Sequence, residues 1–208
     1  NTGLLAIVDC TGHGVPGAFM SFIGYSLLNE IVNAGLKAPD TVLQELDRRL
    51  KLVLQQDEKE SKDGMDMAML LVDMKANTVS FAGAHNPLLY VQNGEVHEIR
   101  GTNRPIGGKR HMRLKKGKKS REEPFQKETL SIDSPTEMYI FSDGYMDQFG
   151  GPRNRKFMQR RFREMIGQIH HKPMDEQHRI LIKRLEEWQG EHPQIDDILV
   201  IGFRLNPK

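Results

Sequence analysis

The stretch 4-LLAIVDCTGHGVPGAFMS-21 decides how this chain is read. Its apolar run, Leu4 to Val8, has the content of a buried strand. Glycines at 12, 14 and 17 follow where that strand turns into a helix. Pro16 suits the first helical turn, because its φ is fixed and it lacks an N–H. A strand, a glycine-rich turn and a helix form the layout of a phosphate-cradling loop. No Lys follows the glycines, so the charge such a loop places on phosphate is absent. The residue left to do chemistry at the strand end is Asp9.

Outward from this stretch, the spacing predicts a helix from Pro16 to about Val32, with Phe19, Met20, Ile23, Leu27 and Ile31 on one buried face. Gly35 ends it. A second amphipathic helix is expected over Pro39–Gln56, burying Val42, Leu43, Leu46, Leu50 and Val53, and 57-DEKESKDG-64 reads as a loop. Strands are expected at Asp66–Asp73, Thr78–Ala82, Leu88–Gln92 and Glu95–Ile99, the last two joined by Asn93-Gly94, a two-residue hairpin signal. Residues 101–127 lose apolar periodicity, carry the basic run 109-KRHMRLKKGKKSR-121, and read as an exposed loop. Strands at Glu128–Ile132 and Met138–Ser142, helices at Arg155–His170 and Met174–Gln189, and a strand at Ile198–Leu205 complete the chain. This order is not a regular βαβ alternation. It predicts an α+β fold, a largely antiparallel sheet core with helices outside it.

Composition narrows the function. The chain has 208 residues, 38% hydrophobic and 28% charged, which suits one sizeable core. With 30 basic and 28 acidic residues the net charge is +2, so no global field draws it to nucleic acid or an anionic membrane. The single cysteine, Cys10, has no internal disulfide partner and fits a reducing compartment. No apolar stretch approaches the ~20 residues of a membrane span, and the expected location is the cytoplasm.

Asp9 follows the strand LLAIV, Asp143 follows MYIFS, and Asp196 and Asp197 precede ILVIGF. If the last strand runs antiparallel to the other two, Asp9, Asp143 and Asp196 meet at one sheet edge. Two carboxylates ~4 Å apart repel by roughly 4 kcal/mol at an effective dielectric of ~20. No Lys or Arg lies within two residues of any of the three, so a bound divalent ion is the economical source of positive charge. All-oxygen ligation selects Mg²⁺ or Mn²⁺ over zinc. The competing reading is that each acid is an ordinary turn former or helix cap, Asp143-Gly144 being a common turn pair. The residues alone leave both readings open.

The motifs DCTGHGVPGAFMS, 82-AGAHNPLLYV-91, 105-PIGG-108, 141-FSDGYMDQFGG-151 and 196-DDILVIGF-203, in that order, resemble the SpoIIE-like branch of the metal-dependent (phosphatase 2C type) Ser/Thr protein phosphatases. The stretch 63-DGMDMAML-70 looks like the middle of such domains in bacterial sensor proteins. The resemblance implies a sandwich of two mostly antiparallel sheets flanked by helices, with two Mn²⁺ or Mg²⁺ ions at one edge. It implies that Asp9 bridges both ions, that the backbone carbonyl of Cys10 completes one sphere, and that Asp143 and Asp196 each hold an ion. Asp197 matches a position that is Asn in many relatives and ranks second. His13 is the candidate catalytic side chain, donating a proton to the leaving oxygen or contacting phosphate; the alternative is that it fixes the loop by bonding to backbone, and His85 stands in the same position. Arg104 and the run 109–121 offer positive charge to an acidic phosphoprotein, or simply solvate a loop.

The implied reaction is hydrolysis of phosphoserine or phosphothreonine by a metal-activated water. The chain has no Cys-x5-Arg loop and no Asp-x-Asp, so neither a thiol nor an aspartyl phosphoenzyme is expected. The expected partner is a phosphorylated regulatory protein, such as an anti-sigma-factor antagonist, with an upstream sensor domain controlling the output. Residues 1–208 are expected to form the phosphatase domain without its N-terminal strand or strands, where relatives carry a further metal-binding acid. The alternative is a catalytically weak interaction module. A receiver domain is excluded by the element order and by the lack of a Lys behind a late strand.

Overall fold

The computed structural model describes residues 2–12, 14–56, 63–108 and 123–207. The chain runs β1 (Thr2–Cys10), α1 (Gly14–Asn33), α2 (Pro39–Val53), β2 (Gly64–Asp73), β3 (Thr78–Ala84), β4 (Leu88–Gln92), β5 (Glu95–Ile99) and β6 (Ile106–Gly107). It continues with β7 (Glu128–Ser131), β8 (Thr136–Phe141), α3 (Gly144–Asp147), β9 (Phe149–Gly150), β10 (Arg155–Lys156), α4 (Gln159–Ile169), α5 (Met174–Gln189) and β11 (Val200–Leu205). Every named strand pair is antiparallel, which gives the expected α+β class. The elements divide into two compact units, Asn1–Pro87 with Arg100–Ser131 and Leu88–Ile99 with Ile132–Lys208. Each has its own apolar cluster, where length alone suggests one core, because each sheet collects its own pair of long helices.

In the first unit the strand order is β1-β2-β3-β7, with β6 also on β2. The register runs from Thr2↔Asp73 to Cys10↔Met65. Strand alternation puts Val8, Cys10, Met65, Met67 and Met69 on one face, against Met20 and Ile31 of α1 and Val42, Leu43, Leu46 and Leu50 of α2. Those four α2 side chains are fully buried, each contributing ~1.5–3 kcal/mol before entropy, so packing holds this helix more than propensity does. Pro39 and Asp40 in its first turn and Lys51 in its last suit the helix ends.

Helix α1 departs from its expected form. It starts at Gly14, and Phe19, expected inside, is 62% exposed. Its apolar residues surround the axis instead of forming one stripe, so periodicity could not choose the buried side. Among the described residues it is also the one helix long and apolar enough to cross a membrane by length and composition alone. This corrects the expectation that no apolar stretch approaches that length. Val53, expected on the apolar face of α2, is exposed as the helix ends.

The segment 101–127 is a further correction. Arg104, Ile106 and Phe125 are buried, and Ile106–Gly107 pairs with β2. The basic run 109–121 lies outside the described residues.

In the second unit the order is β11-β8-β4-β5. Every residue of β8 is buried, as an inner strand requires. Tyr139, Phe141 and Tyr145 pack with Phe162, Ile166 and Ile169 of α4 and Leu181 of α5. Asn93 and Gly94 turn the β4–β5 hairpin with φ of 54° and 79°, both positive as a type I′ turn requires. Helix α4 starts at Gln159 because Arg155–Lys156 pairs with β9. That hairpin and α3 are too short to leave a periodic signal.

Candidate functional site

In the first unit, Asp9 is the penultimate residue of β1 and stands opposite Asp66 of β2. Directly opposed strand residues project from the same face. Because Cys10, Met65 and Met67 pack into the helix-covered core, Asp9 and Asp66 project from the other face. Thr11 locks the strand end: its N–H donates to the Gly64 carbonyl at 3.0 Å, and the Gly64 N–H donates to Thr11 Oγ1 at 2.9 Å. The chain then turns through Gly12 and Gly14, at φ +93° and +65°, values L side chains rarely adopt. His13, the expected catalytic residue, lies outside the described residues.

Burial pushes the Cys10 thiol above its usual range; a hydrogen bond with Ser21 opposes this, and the Asp9 carboxylate adds to it. Cys10 is therefore a protonated core residue at neutral pH. Its backbone carbonyl is the donor it has to offer an ion.

In the second unit, β11 runs antiparallel to β8, Val200 opposite Phe141, which brings the end of one strand beside the approach to the other. Ser142 joins them. Its hydroxyl donates to the Asp197 carbonyl at 2.9 Å and accepts from the Leu199 N–H at 3.0 Å, while its own N–H donates to the Leu199 carbonyl at 3.0 Å. Gly144 completes the fit, since a Cβ there would stand 2.3 Å from the Asp197 carbonyl oxygen. Asp143 is thus held beside the backbone of Asp197. The carboxylate of Asp196 accepts from the Asp197 N–H at 2.8 Å, which orders the pair before the strand begins. The reading that a single sheet edge carries all three acids is corrected: β1 belongs to a different sheet from β8 and β11.

Among the described residues, no three His, Cys, Asp or Glu side chains form a group that could hold a metal ion. The donors expected by resemblance do fit a hard ion in kind: carboxylates and backbone carbonyls, with the one thiol protonated and facing the core.

Arg104 does not offer a free charge to a partner. It is 5% exposed, its Nη1 donates to Asp47 Oδ2 at 3.0 Å, and its guanidinium lies 3.7 Å from the Phe125 ring centroid. Sequence reasoning missed Asp47, which looks like a polar interruption of the α2 apolar face. It also missed Asp66, whose carboxylate meets His85 Nδ1 at 2.9 Å. The available signal was an acid in a strand otherwise apolar, 65-MDMAML-70.

The family model for stage II sporulation protein E (SpoIIE) matches residues 2–206. The chain belongs to the SpoIIE family. Among solved structures it is similar to the SiaA-PP2C domain of Pseudomonas aeruginosa, with 31% identity, a TM-score of 0.83, and coverage of 98% of this chain and 76% of that one. It also resembles the PP2C phosphatase domain with a fragment of the regulatory domain of SpoIIE from Bacillus subtilis, at 16% identity, TM-score 0.74, covering 98% of this chain and 55% of that one. RsbX in complex with magnesium matches at 13% identity and TM-score 0.59, over 97% of this chain and 80% of that one. The last two likenesses show the fold alone. A search of curated protein sequences finds no match. This member of the SpoIIE family therefore has the fold of PP2C phosphatase domains, and its five ordered motifs fall within the matched span.

Proposed function

We propose that this SpoIIE-family domain hydrolyses phosphoserine or phosphothreonine on a regulatory protein, as the output domain of a cytoplasmic signalling protein. The observation that carries the proposal is the junction of Asp143 with Asp196–Asp197, fastened by Ser142 and Gly144, in a chain matched by the SpoIIE model over residues 2–206. Membership in the family supports two divalent ions, Mn²⁺ or Mg²⁺, with Asp9, the Cys10 carbonyl, Asp143 and Asp196 as the candidate ligands. Asp197 is the weaker candidate, because it matches a position that is Asn in many relatives. The magnesium named with RsbX and the description of the Bacillus SpoIIE as a cell fate determinant support the ion class and the regulatory setting.

When bound, such ions neutralise phosphoryl charge and lower the pKa of water. The chain's own contribution is positional. The Thr11–Gly64 bonds hold Asp9 at a fixed strand end, and Ser142 holds Asp143 and the Asp196–Asp197 pair in one register. His13 is proposed to contact phosphate or to order its loop.

A second reading, a catalytically weak interaction module, draws on the lack of a gathered group of three ligating side chains among the described residues. Calorimetric titration with Mn²⁺ separates the two. Saturable binding that weakens in Asp9→Asn and Asp143→Asn, and less in Asp197→Asn, supports the phosphatase; no binding at millimolar Mn²⁺ supports the module.

A further inference from the structure

Asp66 and His85 form a pair that the metal set does not use. Asp66 interrupts an apolar strand and stands opposite Asp9, a like-charge placement that is unfavourable on its own. His85 Nδ1 lies 2.9 Å from Asp66 Oδ1, and the two side chains are 39% and 32% exposed. The ring has no other partner among the described residues.

The backbone of His85 is equally unusual. Its φ is +57°, in the left-handed region that costs a non-glycine residue energy. The surrounding corner holds it there. The His85 N–H donates to the Thr102 carbonyl at 2.9 Å, the Thr102 N–H donates to the Gly83 carbonyl at 2.8 Å, and Asn86, next in the chain, is buried. Backbone strain of this kind clusters at functional sites. Here it turns an imidazole onto the face from which Asp9 and Asp66 project.

We propose that His85, oriented by Asp66, protonates the leaving serine or threonine oxygen; this rests on the phosphatase assignment and deepens it. With Asp66 engaging Nδ1, Nε2 is the nitrogen that delivers a proton. A hydroxide forms the new P–O bond, and the bond from phosphorus to the side-chain oxygen breaks. The electron pair leaves with that oxygen, which takes the proton from Nε2. The neutral ring then recovers a proton from solvent. One water is consumed, its hydroxide ending on phosphorus and its proton, by way of solvent and ring, on the alcohol.

The test compares two substrates with Mn²⁺ present: a phosphoserine peptide, whose alkoxide leaving group needs a proton, and p-nitrophenyl phosphate, whose leaving group does not. His85→Asn, which tolerates positive φ, is expected to lower kcat on the peptide by ~100-fold or more and on the aryl ester by less than ~5-fold. Asp66→Asn lowers kcat with the same substrate preference. His85→Gly, which adopts this φ without strain, loses the same peptide turnover. Equal losses on both substrates, or no loss on the peptide, overturn the proposal. If the wild type hydrolyses both substrates and Asp9→Asn hydrolyses neither, the phosphatase assignment stands and the substrate preference alone decides on His85. If the wild type hydrolyses neither, both fall.

Discussion

Neutralising Asp47 should destabilise the first unit severely. Asp47 is 2% exposed, and Oδ2 accepts from Arg104 Nη1 at 3.0 Å and Lys51 Nζ at 2.9 Å, while Oδ1 accepts from the Gly107 N–H at 2.7 Å. Asp47→Asn keeps the shape but turns one acceptor into a donor facing a donor. Breaking a buried ion pair from one side costs ~3–5 kcal/mol, because the surviving charge stays buried. Arg104 keeps its bond to the Glu123 carbonyl, its contact with Gln44 and its place over Phe125. That retained support puts the expected cost at the lower end, ~3 kcal/mol. For a chain of this size each kcal/mol moves Tm by ~2–4 °C, so the variant should melt ~6–12 °C lower by calorimetry. In a double-mutant cycle with Arg104→Gln, the second substitution should cost much less in the Asp47→Asn background than alone. A Tm shift under ~2 °C, or additive losses, would refute the reasoning that this pair is buried and coupled.

Other substitutions probe other links. Gly144→Ala should cost ~1–3 kcal/mol and weaken Mn²⁺ binding, because its Cβ would stand 2.3 Å from the Asp197 carbonyl oxygen; unchanged melting and titration curves would contradict the junction. Cys10→Ala should keep phosphatase turnover within ~3-fold, since burial holds the thiol protonated and only its carbonyl is offered to an ion; loss of all turnover would contradict this. Glu45 is held down to about 2 by hydrogen bonds from Arg48 and then Arg49. With the folded value below the unfolded one, its contribution is present above ~4.5 and is lost as pH falls from there to about 2. Glu45→Gln should flatten the acid limb of a stability profile in that window, and an unchanged limb would count against the pair.

Much of the fold was legible because it is written in short-range pattern. The Asn93-Gly94 hairpin, the α2 face and the Met174–Gln189 helix each follow from turn chemistry or periodicity within one segment. The positions of Asp9, Asp143 and Asp196–Asp197 near strand ends were legible for the same reason. What was not legible depends on pairing at a distance. Nothing local says that β1 joins β2 and β3 while β8 joins β4 and β11. The Asp47–Arg104 pair spans 57 positions and Asp66–His85 spans 19, so neither appears in any window of the sequence. Arg104 in particular reads as surface charge until the carboxylate and ring that bury it are in place. Helix α1 misled for the opposite reason: apolar on most sides, it carries no periodic signal for the face that packs.

The most direct measurement is phosphate release from a phosphoserine protein or peptide by the full chain, with Mn²⁺ and with chelator, in the wild type and Asp143→Asn. Release that requires Mn²⁺ and is abolished in Asp143→Asn, while the variant keeps its melting temperature, is the predicted result. Release that persists under chelator, or that survives Asp143→Asn, would contradict a metal-dependent phosphatase built on these carboxylates.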